Sequence, residues 1–146
     1  MQHKSTDDLF HTLNQIQTAE ELENYLTELK RSKKSMNLSD YLNYIIHVKN
    51  LELKDVVSSS GLEPHYAYQI INGNKPKPSR IKVLALCIAC HMTLSETQHA
   101  LEISRNGILY PRDTADAIII FHLNQENWSI ASINDQLNSE GLPILE

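Results

Sequence analysis

The sequence predicts an all-α fold. Three observations carry that expectation. Apolar residues recur at helical spacing through nearly the whole chain. Capping signals, Thr18-x-x-Glu21 and Thr93-x-x-Glu96, stand just ahead of two of these runs. Glycine and proline fall between the runs and not within them.

A first helix is expected over residues 6–16, with Leu9, Leu13 and Ile16 on one face. The Thr18 box opens a second, striped by Leu22, Leu26 and Leu29 and closed by the basic run Lys30, Arg31, Lys33 and Lys34. Cations there complement the helix dipole. Ser35, Met36 and Asn37 read as a linker. Five short helices follow. Residues 39–49 use Leu42, Ile45, Ile46 and the stem of Lys49; residues 53–60 stop at Gly61, a suitable left-handed C′ residue. Residues 64–72 begin on Pro64, where a missing N–H costs little, and stop at Gly73. The stretch 74–78 (NKPKP) cannot be helical. Residues 79–91 form a fourth helix, and the Thr93 box opens a fifth that reaches Ser104.

After Tyr110-Pro111, residues 112–124 read as a helix. The run 118–121 alone would fit a strand, but Asp113 and Asp116 suit a helical first turn and no turn residues bracket a strand. A last helix over 129–138 carries Ile130, Ile133 and Leu137 and stops at Gly141. The expected organisation is therefore an N-terminal helical extension (1–36), a five-helix domain (37–104) and a C-terminal helical segment (105–146).

The chain has 146 residues, 41% hydrophobic and 21% charged, the balance of a soluble globular protein. No apolar run approaches the ~18–20 residues of a membrane helix. The opening MQHKSTDD is too polar for a signal peptide, so a cytoplasmic location is expected. The net charge of −5 speaks against nucleic acid at first sight. It is unevenly placed: residues 1–36 carry −1, residues 37–104 are neutral, and residues 105–146 carry −4. Lys75, Lys77, Arg80 and Lys82 put four positive charges in eight residues with no acid among them.

The helices on either side of Gly61-Leu62 have the length and punctuation of a helix-turn-helix. At 100° per residue, Ala67, Ile70 and Ile71 share one side of the second helix, and His65, Tyr68, Gln69 and Asn72 share the other. The outer face thus offers hydrogen-bonding groups and no charge of the wrong sign. Gln can pair with adenine through two bonds, and His and Tyr can donate to base edges. His65, Tyr68 and Gln69 are the expected base contacts. Asn72, Lys75, Lys77 and Arg80 are the expected phosphate contacts, with the start of the next helix, Ser79-Arg80, offering amides as well.

The run GLEPHYAYQIINGNKPKPSRIKVLALCIAC resembles the Xre-type, lambda-repressor-like helix-turn-helix domain. The likeness rests on Gly61-Leu62, Ala67, Ile70, Asn72-Gly73 and Pro78-Ser79 ahead of an apolar helix, and covers residues 38–103. Val56-Val57 stands where the family usually has Leu-Ala, and Leu53 where it often has Gln. The resemblance implies a five-helix DNA-binding domain, with base readers at Pro64, His65 and Gln69 and phosphate contacts at Asn72, Lys75 and Lys77. The C-terminal segment is similar to that of a subset of such regulators in Gram-positive bacteria.

Other constellations carry less. Cys87-Ile-Ala-Cys90-His91 fits the haem-attachment pattern, but cysteines three apart on an apolar helix read as small core residues in a reduced compartment. The scattered histidines supply no second ligand pair for zinc, and Asp113 and Asp116 have no nucleophile beside them. No metal, cofactor or enzymatic activity is expected. The helix over 118–121 is apolar around most of its circumference, so Ile118, Ile119, Phe121, Trp128, Ile133 and Leu137 are expected to form a dimer or partner interface. The resulting expectation is a homodimeric, sequence-specific transcriptional regulator binding double-stranded DNA at a palindromic operator. The alternative is an antitoxin-like or adaptor protein that binds another protein, for which the acidic tail is the natural surface.

Overall fold

The computed structural model describes residues 6–32 and 36–146, and among them the chain forms nine helices and no strand. Residues 1–5, Lys33, Lys34 and Ser35 lie outside the described residues, as do the side chains of Arg31 and Ser32. The chain divides into two compact units, Met1–Ser35 and Met36–Glu146.

The first unit holds α1 (Thr6–Asn14) and α2 (Ala19–Ser32). The Thr18 capping signal operates: the Glu21 amide donates to Thr18 Oγ1 at 3.1 Å, and that hydroxyl donates to Glu21 Oε1 at 3.1 Å. No residue of α1 is buried.

The second unit runs α3 (Leu38–Val48), α4 (Leu53–Ser59), α5 (Pro64–Ile71), α6 (Arg80–Ala89), α7 (Leu94–Ile103), α8 (Thr114–Asn124) and α9 (Ile130–Ser139). Asn37, expected in a linker, is the N-cap of α3. Its Oδ1 accepts from the Asp40 amide at 2.8 Å, and Asp40 returns a carboxylate to the Asn37 amide at 3.4 Å. The Thr93–Glu96 box closes the same way at 3.2 and 2.9 Å. Gly61, Gly73 and Gly141 take left-handed φ values of 71°, 90° and 71°, as their places after helices require. Four other helices stop on non-glycine residues in that region: Asn50, His91, Arg105 and Glu126. Each stop is closed by a 6→1 amide bond from the next residue, such as Leu51 N to Ile46 O and Met92 N to Cys87 O, both on buried or half-buried apolar side chains.

α6 is the centre. Every residue from Val83 to Ala89 is buried, so the helix beyond its first turn is enclosed on all sides. α4, α7 and α9 pack against it, α5 packs on α3 and α4, and α8 bridges α7 and α9. Residues 105–146 therefore complete the core around α6 and do not stand apart from residues 37–104. Ile130 of α9 reaches the turn ahead of α5, its Cγ2 lying 3.7 Å from where a Cβ on Gly61 would sit.

This corrects the expected interface. Ile119, Ile133 and Leu137 are buried in the chain's own core. Ile118 and Trp128 are half-buried against it, and Phe121 alone of the six is exposed. Trp128 is fixed by its indole N–H on Met92 O at 3.0 Å and by stacking on His91. Residues 118–121 are helical, as the acids in the first turn predict.

Cys87 and Cys90 are fully enclosed free thiols. Burial pushes the Cys87 thiol well up and the Cys90 thiol to about 12. Neither is available to a cofactor or an oxidant at neutral pH.

Two outcomes follow for the second unit. Ile133→Ala should lower unfolding free energy by about 2–5 kcal/mol in urea titration, because the site is enclosed and cannot collapse freely. A thiol-reactive chromophore at pH 8 should find no reactive cysteine in the native chain and both in denaturant.

Candidate nucleic-acid interface

α4 and α5 are held by a turn whose chemistry is local. Ser60 is buried; its Oγ donates to Val57 O at 2.7 Å and accepts from the Leu62 amide at 3.2 Å. Leu62 is buried beneath the turn. Glu63 then caps α5, its two carboxylate oxygens accepting from the His65 and Tyr66 amides at 2.9 and 2.8 Å. Those two bonds hold its carboxyl below the ordinary range. The cap is present at neutral pH and is lost as the pH falls through that lowered value.

The faces of α5 divide as the spacing predicts. Ala67, Ile70 and Ile71 are buried, while His65, Tyr68 and Asn72 are exposed and Gln69 is half-exposed. His65 Nε2 and Gln69 Nε2 lie 3.2 Å apart, one turn from each other, so the two expected base contacts already share a hydrogen bond. The inner end of the helix is anchored on α3: Ser39 Oγ and Asn43 Nδ2 both donate to Ile71 O, at 2.6 and 2.8 Å.

The loop beyond α5 is ordered by local hydrogen bonds. Asn72 Oδ1 accepts from the Asn74 amide at 2.9 Å, the Lys75 amide donates to Gln69 O at 3.0 Å, and Pro78 is buried. Lys75 and Lys77 are exposed. The ammonium groups of Lys75 and Lys82 lie 5.8 and 5.5 Å from the Tyr66 ring centroid, a cation–π arrangement that gathers two positive charges on one half-buried ring. Sequence spacing could not reveal Tyr66 in this role, because Lys82 reaches it from another helix. Lys82 also donates to Glu146 O at 3.0 Å.

Arg80 departs from its expected place among the phosphate contacts. Its guanidinium forks onto Asp116 of α8, at 3.0 and 2.8 Å, and donates to Gly107 O at 2.8 Å and Ile108 O at 3.2 Å. Asp116 is 4% exposed and takes a further bond from the Tyr110 amide at 2.9 Å. A planar fork that matches a carboxylate is better satisfied here than in solvent, so the charge is spent inside the chain. Asp113 is the N-cap of α8, accepting from the Asp116 amide at 2.9 Å.

No family model, no curated protein and no solved structure matches this chain.

Asp116→Ala should cost about 2 kcal/mol of stability, between the values for exposed and buried pairs, because the half-exposed Arg80 is partly rehydrated. Arg80→Lys should fail to restore the wild-type melting temperature, since an ammonium cannot span both carboxylate oxygens and two carbonyls. Thermal unfolding followed by circular dichroism reads both.

Proposed function

We propose that this chain is a non-enzymatic, cytoplasmic, sequence-specific DNA-binding transcriptional regulator with a lambda-repressor-like helix-turn-helix, acting as a homodimer. The observation that carries the reading is the outer face of α5. It is polar, uncharged and exposed, it is backed by three buried apolar residues, and a lysine-bearing loop follows it at once.

On this reading α5 lies in the major groove. His65, Tyr68 and Gln69 face the base edges, and their shared hydrogen bond presets the His65 and Gln69 rotamers. Asn72, Lys75 and Lys77 meet the phosphates, and Lys82 adds charge beside Lys75 on the Tyr66 ring. Glu63, which would repel a phosphate if it faced one, is turned onto amides instead. With Arg80 internally paired, few phosphate contacts remain, so non-specific affinity is weak and specific contacts from two copies supply the binding.

A second reading has one observation in its favour. Ile108, Tyr110 and Phe121 are exposed on the acidic segment, which fits an adaptor or antitoxin that docks on a protein.

Selection from a random DNA pool should enrich one motif. Against that motif Gln69→Ala should relax preference at one base by roughly 1–3 kcal/mol. Lys77→Ala should weaken binding to all sequences and lower the salt slope by about 1. Failure to enrich any sequence at low salt would turn the assignment to the adaptor.

A further inference from the structure

We propose that Tyr66 is a positioning residue for phosphate binding: its ring seats the ammonium groups of Lys75 and Lys82, so that both meet the DNA backbone together. The inference rests on the DNA-binding reading and names the residue that organises that site's charge.

A surface lysine carries its charge on a flexible stem. Ordering such a side chain at the moment of binding weakens affinity by about 2–10-fold. Two lysines here are ordered in advance. Their ammonium groups lie 5.8 and 5.5 Å from the Tyr66 ring centroid, inside the ~6 Å at which a ring face attracts a cation. They come from different elements, Lys75 from the loop after α5 and Lys82 from the first turn of α6. The ring is itself fixed. Tyr66 is half-buried against the core, and its amide donates to Glu63 Oε2 at 2.8 Å. The Lys75 amide is pinned on Gln69 O. Lys82 is held from a second side, donating to Glu146 O at 3.0 Å. That segment is anchored in turn: Leu145 is buried, and its amide and carbonyl bond the Asn134 side chain at 2.8 and 3.0 Å.

The seat leaves the charge usable. Arg80, two residues before Lys82, is paired with Asp116, whereas among the described residues neither Lys75 nor Lys82 pairs with a carboxylate side chain. A ring face draws a cation without cancelling its charge. An ammonium has three donors, and Lys82 uses one of them on Glu146 O. Two cations gathered on one ring also repel each other, and a polyanion relieves that repulsion. Lys77 is exposed in the same loop and serves as the comparison.

One arm of the test contains no DNA. In NMR spectra of the full chain, ring currents should move the ε-methylene protons of Lys75 and Lys82 upfield in the wild type and in Tyr66→Phe, and not in Tyr66→Leu. The other arm titrates salt against a duplex of arbitrary sequence, since phosphate contacts do not depend on sequence. K75A/K82A should lower the salt slope by about 2, at ~0.9 per contact. Tyr66→Leu should lower the slope and weaken binding by about 2–10-fold per seated lysine, while Tyr66→Phe binds as the wild type does. Added to K75A/K82A, Tyr66→Leu should change nothing further, whereas a merely structural role would add its own loss. Lys77→Ala should have the same effect with or without Tyr66→Leu. Unshifted lysine protons in the wild type, a Tyr66→Leu variant that binds normally, a Tyr66→Phe variant as weak as Tyr66→Leu, or further loss in K75A/K82A would each overturn the inference and leave the DNA-binding reading standing. Absence of duplex binding by the wild-type chain at low salt would overturn both.

Discussion

The structure of residues 36–146 depends on the enclosure of α6. A helix apolar on every side is stable only if other helices cover its whole circumference, since each exposed Leu or Ile there would forfeit about 1.5–3 kcal/mol. α4 and α7 cover part of it, and α9 covers more. α5 owes its position to this arrangement, because α4, on which it packs, is itself seated on α6. The outward face of α5 is thus the consequence of an inward constraint two helices away.

The same constraint governs the electrostatics. α6 begins at Arg80, where the chain leaves the basic loop and enters the core. At that point a cation has two options, water or a partner. Asp116, two further carbonyls and partial burial provide the partner, and the helix start is tied to α8 and to the segment before it. Lys75 and Lys77, placed before the helix, keep their charge outward. The acidic tail that gives the chain its net charge contributes one of its carboxylates to this fork, so part of that acidity serves the core.

Much was legible from local signals. Capping boxes, Pro64 and three glycines mark helix ends through interactions within a few residues. The division of α5 into Ala67, Ile70 and Ile71 against His65, Tyr68 and Asn72 follows from 3.6-residue periodicity alone. Four helix stops were less visible, because Asn50, His91, Arg105 and Glu126 accept the left-handed region only where a following residue closes the 6→1 bond. Arg80 and Asp116, 36 positions apart, could not be paired by any local rule. Tyr66 as a seat for two lysines was hidden for the same reason.

The apolar pattern of 118–137 shows where the limit lies. Periodicity states that Ile119, Ile133 and Leu137 must be buried; it does not state against what. The sequence by itself determined the helical class, the element boundaries to within a few residues and the polar face of α5, because these are set by short-range geometry and by which side chains avoid water. Only the tertiary structure decided that the C-terminal helices close the core around α6 and that Arg80 spends its charge on Asp116. Burial and ion pairing require a partner in space, and no residue carries the address of its partner in its neighbours along the chain.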